Sequence, residues 1–461
     1  MAMHMIKPMA VAILTAQTLL AASLAQAAAT PEEIARLGKD LTCVGAEKAG
    51  NADGSITEWT GKWLGWPDHL TPGEVGAHPQ DPYPDDKPLF TITAANMGEH
   101  AERLSAGQKA LFEAYPDTFS IPVYQTRRDF RFPDSVCEAT LQNAKSAKLV
   151  SDGEGVEATT GGILFPFPKS WLELMWTSSF FTYRPWTEEL ISDNAYVLSN
   201  GRINWGQVAS KNLAPPLEPG KIGTTEGASS YYRNETLLPQ RDRGEINTGI
   251  EFFDHTKEPR QSWRYDPGTR RVRQSPEYGF DMQFPGSGGT ITVDEVRILN
   301  GSGQRYNWNI VGKQEMYVPA NAYRIHSPDV KYDDLLTPGH VNPEHMRYEL
   351  RRVWVLEANI KDNYRHLYTK RHMYVDEDTW LMVMGDNYDA RGGLWRTSMV
   401  NYYYAPEAQT WQAGTGLYHD LQARSHLAFN LINQQSKGFI LNQGGLSSRD
   451  FGPEAARRAG R

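Results

Sequence analysis

The chain has 461 residues, a formal net charge of −8 and a sequence pI near 5.9, which disfavours general nucleic-acid binding, since that requires a basic face. Hydrophobic residues make up 40% and charged residues 22%, enough apolar mass for a large core and too much for a disordered chain. The 40 Gly and 28 Pro follow no collagen period, and no Ala/Glu/Lys/Leu bias points to a coiled coil.

Residues 1–27 read as a secretory signal. Lys7 supplies the basic start, Met9 to Leu20 is mostly apolar but too short to span a bilayer, and Ala25-Gln26-Ala27 is a small-x-small cleavage site. No later apolar run reaches about 18 residues, so a soluble mature chain is expected. Two cysteines, Cys43 and Cys137, form an even pair in an oxidising compartment. That suggests one disulfide, the alternative being two separate buried thiols.

Helix starts follow. Thr30 to Glu33, Ser105 to Gln108, Ser135 to Glu138 and Ser170 to Glu173 each match the capping-box pattern. Between the first two, Trp59 to Pro88 holds six prolines. Their spacing forbids a helix or a central strand, and Trp59, Trp63 and Trp66 would pin an extended segment to the surface. After about residue 190 the pattern turns to period two. Asn200-Gly201 marks a hairpin between Ala195–Ser199 and Arg202–Ser210. Asp266-Pro267-Gly268-Thr269 turns Gln261–Tyr265 into Arg271–Gln274. Arg347–Lys361, Arg365–Val375, Trp380–Tyr388 and Leu394–Tyr404 read as an antiparallel meander. The tail, 447–461, looks frayed.

Catalytic signatures are missing: there is no G-x-S-x-G, H-E-x-x-H, P-loop or complete G-x-G-x-x-G. Asn51 to Ile56 resembles the middle of a calcium loop, but Ala49 and Thr60 stand where its first and last ligands belong, which favours an Asx turn. His366 and His372, six residues apart on one strand, would be about 20 Å apart, too far to share a metal. His419, Asp420 and Arg424 form a candidate polar cluster without a nucleophile. The acidic pairs Asp333-Asp334, Asp376 with Asp378, and Asp386 with Asp389 mostly fall in expected turns. Trp171, Leu172, Leu174, Met175, Trp176, Phe180 and Phe181 cover most of one helix, which must lie against something large. It reads either as core packing or as a lid over an apolar cavity.

Several stretches together resemble a known family of proteobacterial proteins, the domain of unknown function (DUF) 1329. They are Leu41 to Asn51, Lys87 to Thr93, Gly161 to Pro166, Ser327 to Asp333 and Tyr348 to Trp354. The resemblance spans nearly the whole mature chain. It implies the fold of the periplasmic lipoprotein carriers LolA and LolB, a half-open antiparallel barrel with helices at its mouth. It also implies a place in the periplasm of a Gram-negative cell, or peripheral to its outer membrane, and carriage of a hydrophobic cargo. An outer-membrane protein or a transporter would be its partner. The family supplies no catalytic residues.

The expected fold is therefore α+β: a large curved antiparallel sheet over 191–446, helices on its concave face, and an extended wrap over 28–190. The expected function is non-catalytic binding of a lipid, an acyl chain or lipoprotein-like cargo, without cofactor or metal. Trp171, Leu174, Met175, Phe180, Leu350, Trp354 and Leu356 would line the cavity. The alternatives are a structural adaptor that docks through the Pro/Trp segment, and a secreted hydrolase.

Overall fold

A computed structural model of the chain describes residues 29–178, 182–275, 279–284 and 287–460; the signal segment, Phe180 and Phe181 lie outside the described residues. The helices are short: α1 (Pro31–Ile34), α2 (Ala106–Ala114), α3 (Asp134–Ser146), α4 (Trp171–Thr177), α5 (Tyr332–Leu335) and α6 (Gly452–Ala459). The first strands are β1 (Phe90–Ile92), β2 (Ile121–Tyr124), β3 (Lys148–Val150), β4 (Gly155–Glu157), β5 (Thr187–Val197) and β6 (Ile203–Leu213). Then come β7 (Ala228–Leu238), β8 (Ile246–Phe252), β9 (Gln261–Asp266), β10 (Arg271–Gln274), β11 (Tyr306–Pro319) and β12 (Tyr348–Ile360). The last are β13 (Lys370–Asp376), β14 (Met382–Tyr388), β15 (Leu394–Ala405), β16 (Thr410–Asp420), β17 (Ser425–Leu431) and β18 (Ile440–Leu441).

All but β3 and β4 join one 16-stranded sheet, in the order β1-β2-β12-β13-β14-β15-β16-β17-β5-β6-β7-β8-β9-β10, with β11 also on β12 and β18 on β5. The path has two ends, so the sheet is open. Tight polar turns make most of it antiparallel, as expected. Asn200-Gly201 joins β5 to β6, Asp266 to Thr269 region joins β9 to β10, and Asp376 caps the β13–β14 turn by accepting from the amides of Asp378 and Thr379.

Four expectations change. The sheet is mixed, because β2 pairs in parallel with β12; the N-terminal region thus supplies strands as well as a wrap. The boundary drawn at 190/191 falls inside β5. The tail is ordered: α6, with Pro in its first turn, buries Ala455 and Ala456 and packs on β8, β9 and β10, and Tyr265 Oη donates to Gly460 O at 2.6 Å. The strand expected from Arg365 starts at Lys370. Of the four capping boxes, those of α1 and α2 form in full. At α4, Ser170 caps but Glu173 turns back to the amide of Lys169. At α3 the helix begins two residues early, at Asp134, with Pro133 as its cap.

The main core gathers side chains from α2, α4 and both faces of the central strands. The extended segment is pinned as expected: the Trp63 ring packs on Phe130 and Tyr83, and its amide donates to Asp129 O. Cys43 and Cys137 form the disulfide, with Cα atoms 5.2 Å apart across a separation of 94 residues, tying the wrap to α3.

Candidate functional site

The residues expected to line an apolar cavity are mostly closed in by protein. Leu174, Met175, Leu350 and Leu356 belong to the main core, and Trp171 and Trp354 pack half-buried against it. The Trp171 ring stacks on Trp308 at 5.4 Å, and that of Trp354 on Trp380 at 6.4 Å. These apolar positions pack into the core, which is the ordinary outcome of hydrophobic burial.

A cavity lies elsewhere, on one face of β5 to β8. The register builds its wall. Glu188, Asn212, Tyr232, Gly249 and Ser262 stand in one cross-strand row, and Leu190, Ser210, Asn234, Asn247 and Arg264 in the next. Side chains alternate between faces along a strand, so both rows share one face. The wall is therefore chiefly hydroxyl, amide and charged groups. The facing side comes from irregular chain: Phe284, Val296, Arg297 and Asn300, with Phe429 of β17 closing one flank. The cavity encloses about 110 Å³. A second chamber of about 380 Å³ adjoins it and shares Glu251, Arg260 and Asn300. Those three form a bonded partition: Arg260 pairs with Glu251, and its Nη2 donates to Asn300 Oδ1 at 2.8 Å.

Charges inside the first chamber are ordered. Arg297 Nη2 lies 3.4 Å from Glu188, which also accepts from Asn212 Nδ2 at 2.8 Å and from Gln412 Nε2 at 2.5 Å. Burial and the neighbouring Arg297 pull the Arg184 pKa down to about 10, against the opposing pull of Glu188. Burial raises the Tyr232 hydroxyl to about 12, so it remains a neutral donor to, or acceptor from, Ser262 Oγ at 2.9 Å.

The covering segment is held from behind. Burial alone would raise the Asp294 pKa, but Arg371 and His366 hold it below the usual carboxylate range, with Nη1 and Nε2 each 3.0 Å away. Glu295 accepts from Tyr368 Oη, Asn387 Nδ2 and Ser398 Oγ. Arg371 Nη2 donates to Ile298 O at 2.9 Å, and Ile298 keeps φ at 77°, a value that β-branched residues rarely adopt. So β13 to β15 grip one side of the 292–300 segment while its Val296, Arg297 and Asn300 look into the cavity. The sequence reading missed this segment. Its Thr292-x-x-Glu295 pattern was an available signal, and Thr292 N does donate to Glu295 Oε2 at 3.4 Å.

Residues 91–457 match the family described as protein of unknown function (DUF1329). The chain belongs to the DUF1329 family. An uncharacterized protein of Pseudomonas aeruginosa is 36% identical to it over 447 residues, 96% of each chain. Among solved structures, a domain of a Vibrio parahaemolyticus protein described as outer membrane lipoprotein-sorting aligns with a TM-score of 0.41 and 17% identity, over 59% of this chain and 92% of that one. A DUF1329 family protein of Desulfovibrio piger aligns at 0.40 and 14%, over 59% and 92%. A LolA superfamily protein of Nitrosomonas europaea aligns at 0.34 and 11%, over 58% and 91%.

The other candidate groups of this DUF1329 protein are taken up in structural contacts, His419 through its ring alone. At Asn51 to Ile56 an Asx turn forms: Asp53 Oδ1 accepts from Ser55 N at 2.9 Å, and Arg103 holds its other oxygen. His366 lies before β13 rather than on it and bonds Asp294; His372 Nε2 is 2.9 Å from Glu357. The expected His419–Asp420–Arg424 cluster does not assemble. Asp420 instead accepts from Trp395 and Arg396, while His419 stacks on His426. Asp386 sits in β14, within the strand expected over Trp380–Tyr388, buried among Thr397, Tyr374 and Ser105. Among the described residues no group of three metal-ligating side chains converges, and no helix is long and apolar enough to cross a membrane.

Proposed function

We propose that this DUF1329 protein is a non-catalytic carrier that binds a lipid-like molecule in the bacterial periplasm. The observation behind this reading is a pair of adjoining chambers, one between the sheet wall and Phe284, Val296, Arg297 and Asn300, the other lined by Glu154, His255, Pro259, Phe280 and Ser302. Together the chambers, about 110 and 380 Å³, fall within the size of small-molecule sites, commonly about 300–1,000 Å³. The disulfide suits an oxidising compartment outside the cytoplasm. In this reading α4 backs the second chamber. Trp171 and Met175 crowd Gly303, where a Cβ would meet them at 3.0 and 3.2 Å, and the neighbouring Ser302 and Gln304 line that chamber. The Trp176 ring packs 5.3 Å from His255, another lining residue.

The test is mass spectrometry of organic extracts from protein isolated from its native periplasm, followed by titration of the delipidated protein with a fluorescent fatty acid. A stoichiometric amphiphile and saturable uptake are expected. Empty extracts together with no uptake would remove the reading.

One observation favours a second reading, a structural adaptor of an outer-membrane or efflux complex. At the β1 end of the sheet, Leu89 is 65% exposed and Phe90 37%. In that reading the double substitution Leu89→Asp and Phe90→Asp abolishes co-sedimentation with outer-membrane fractions. In the carrier reading it leaves ligand uptake unchanged.

A further inference from the structure

The chemistry of the cavity wall narrows the cargo, given the carrier reading above. An alkyl chain needs apolar walls. Here the sheet presents Ser210, Ser230 and Asn234, all half-buried, and their side chains make no hydrogen bond among the described residues. A purely hydrocarbon ligand pressed against them would strip their water and return no hydrogen bond, which is unfavourable. The described lining also carries more positive than negative charge: Arg184, Arg260 and Arg297 against Glu188 and Glu251. Apolar groups stand on the other side and one flank, as Phe284, Val296 and Phe429, and on the sheet wall only as Leu190 and Val208 among these polar groups.

We infer that the first chamber is a headgroup site for an anionic amphiphile: the head meets the hydroxyl and amide wall near Arg184 and Arg297, and the apolar body runs along Phe284 and Phe429. Charge-assisted hydrogen bonds from arginine to an anionic head are the strong kind. Ser210, Ser230 and Asn234 then gain the partners they lack. The chamber's small volume fits a head better than a chain.

The experiment compares dodecyl phosphate, dodecanol and inorganic phosphate as ligands of the delipidated full-length protein by calorimetric titration, at low and high salt. Dodecyl phosphate should bind at least about tenfold tighter than dodecanol, weaken with salt, and bind tighter than inorganic phosphate, since head and body both contribute. In the variant Arg184→Gln, and separately in Asn234→Leu, that preference should shrink. The ligand series on the unaltered protein stands even if a variant fails to fold. Equal affinity for dodecyl phosphate and dodecanol overturns the headgroup site and leaves the carrier reading intact. Inorganic phosphate binding as tightly as dodecyl phosphate overturns the amphiphile. A preference that survives in both folded variants overturns the assignment to this wall. No binding of either dodecyl compound overturns the carrier reading as well.

Discussion

His419 and His426 face each other across β16 and β17, their rings stacked at 5.7 Å, and no ring nitrogen of either has a hydrogen-bond partner among the described residues. Burial depresses the pKa of His419 to about 3 and that of His426 well below its ordinary value. His326, whose Nε2 instead accepts from Thr415 N, is held at about 4 by burial. An imidazole neutral when folded but free to take a proton near pH 6.5 when unfolded makes the unfolded state bind more protons as pH falls. The stability these three contribute is complete above about pH 6.5 and declines toward their folded pKa values. Urea midpoints should therefore drop between pH 7 and pH 5, and His426→Phe should flatten that slope. The same substitution should leave stability at pH 7 equal or raised by about 1 kcal/mol, because it removes unpaired buried nitrogens. An unchanged acid slope would refute this account. None of it could be read from the sequence, where His419 seemed to belong with its neighbours Asp420 and Arg424. Alternation of side chains puts adjacent strand residues on opposite faces.

At the scale of elements, ion pairs fasten the wrap to the sheet. Arg351 on β12 reaches Asp376 at 2.9 Å, Asp378 at 3.1 Å and Glu349 at 3.6 Å, all deep in the structure. Arg128, from the N-terminal region, meets the same Asp378 at 2.7 Å, and Asp86 pairs with both Arg347 and Arg127. Removing one member strands the rest. Arg351→Met should cost about 3–5 kcal/mol in chemical denaturation, a large part of the roughly 5–15 kcal/mol typical of a domain. Arg36→Ala, which breaks an exposed pair with Asp40, should leave the midpoint where it is. Hairpins carried by Asn200-Gly201 or Asp266-Pro267-Gly268 were legible because a turn needs those residues whatever surrounds it. The strand β7 was not. Its sequence, Ala228 to Leu238, is polar on both faces, since the face turned inward is the cavity wall itself. The site was sought by apolar pattern, and that pattern marks core. The covering segment from Thr292 to Asn300 has no period at all, being shaped by tertiary contacts with β13 to β15.

For the whole molecule, binding should be visible as stability. A ligand held only by the folded state raises the melting temperature in proportion to the logarithm of its concentration. Dodecyl phosphate should do so, and Arg184→Gln should reduce the increment. A wild-type melting curve that is indifferent to the ligand would contradict specific binding. The open sheet and its order were foreseeable in outline from the meander and the family resemblance. The parallel pairing of β2 with β12 was not, because nothing local records a partner so distant: Thr126 Oγ1 donates to Leu350 O across 224 residues of chain.

That pairing bears on how the protein is made. Strands β1 and β2 have no place in the sheet until β12 exists, so about three quarters of the polypeptide must emerge before its beginning can settle. Contacts so far apart in sequence form slowly. A chain delayed in this way keeps its beginning unsettled for most of its synthesis, and a fragment covering only residues 29–178 should show no cooperative unfolding by circular dichroism.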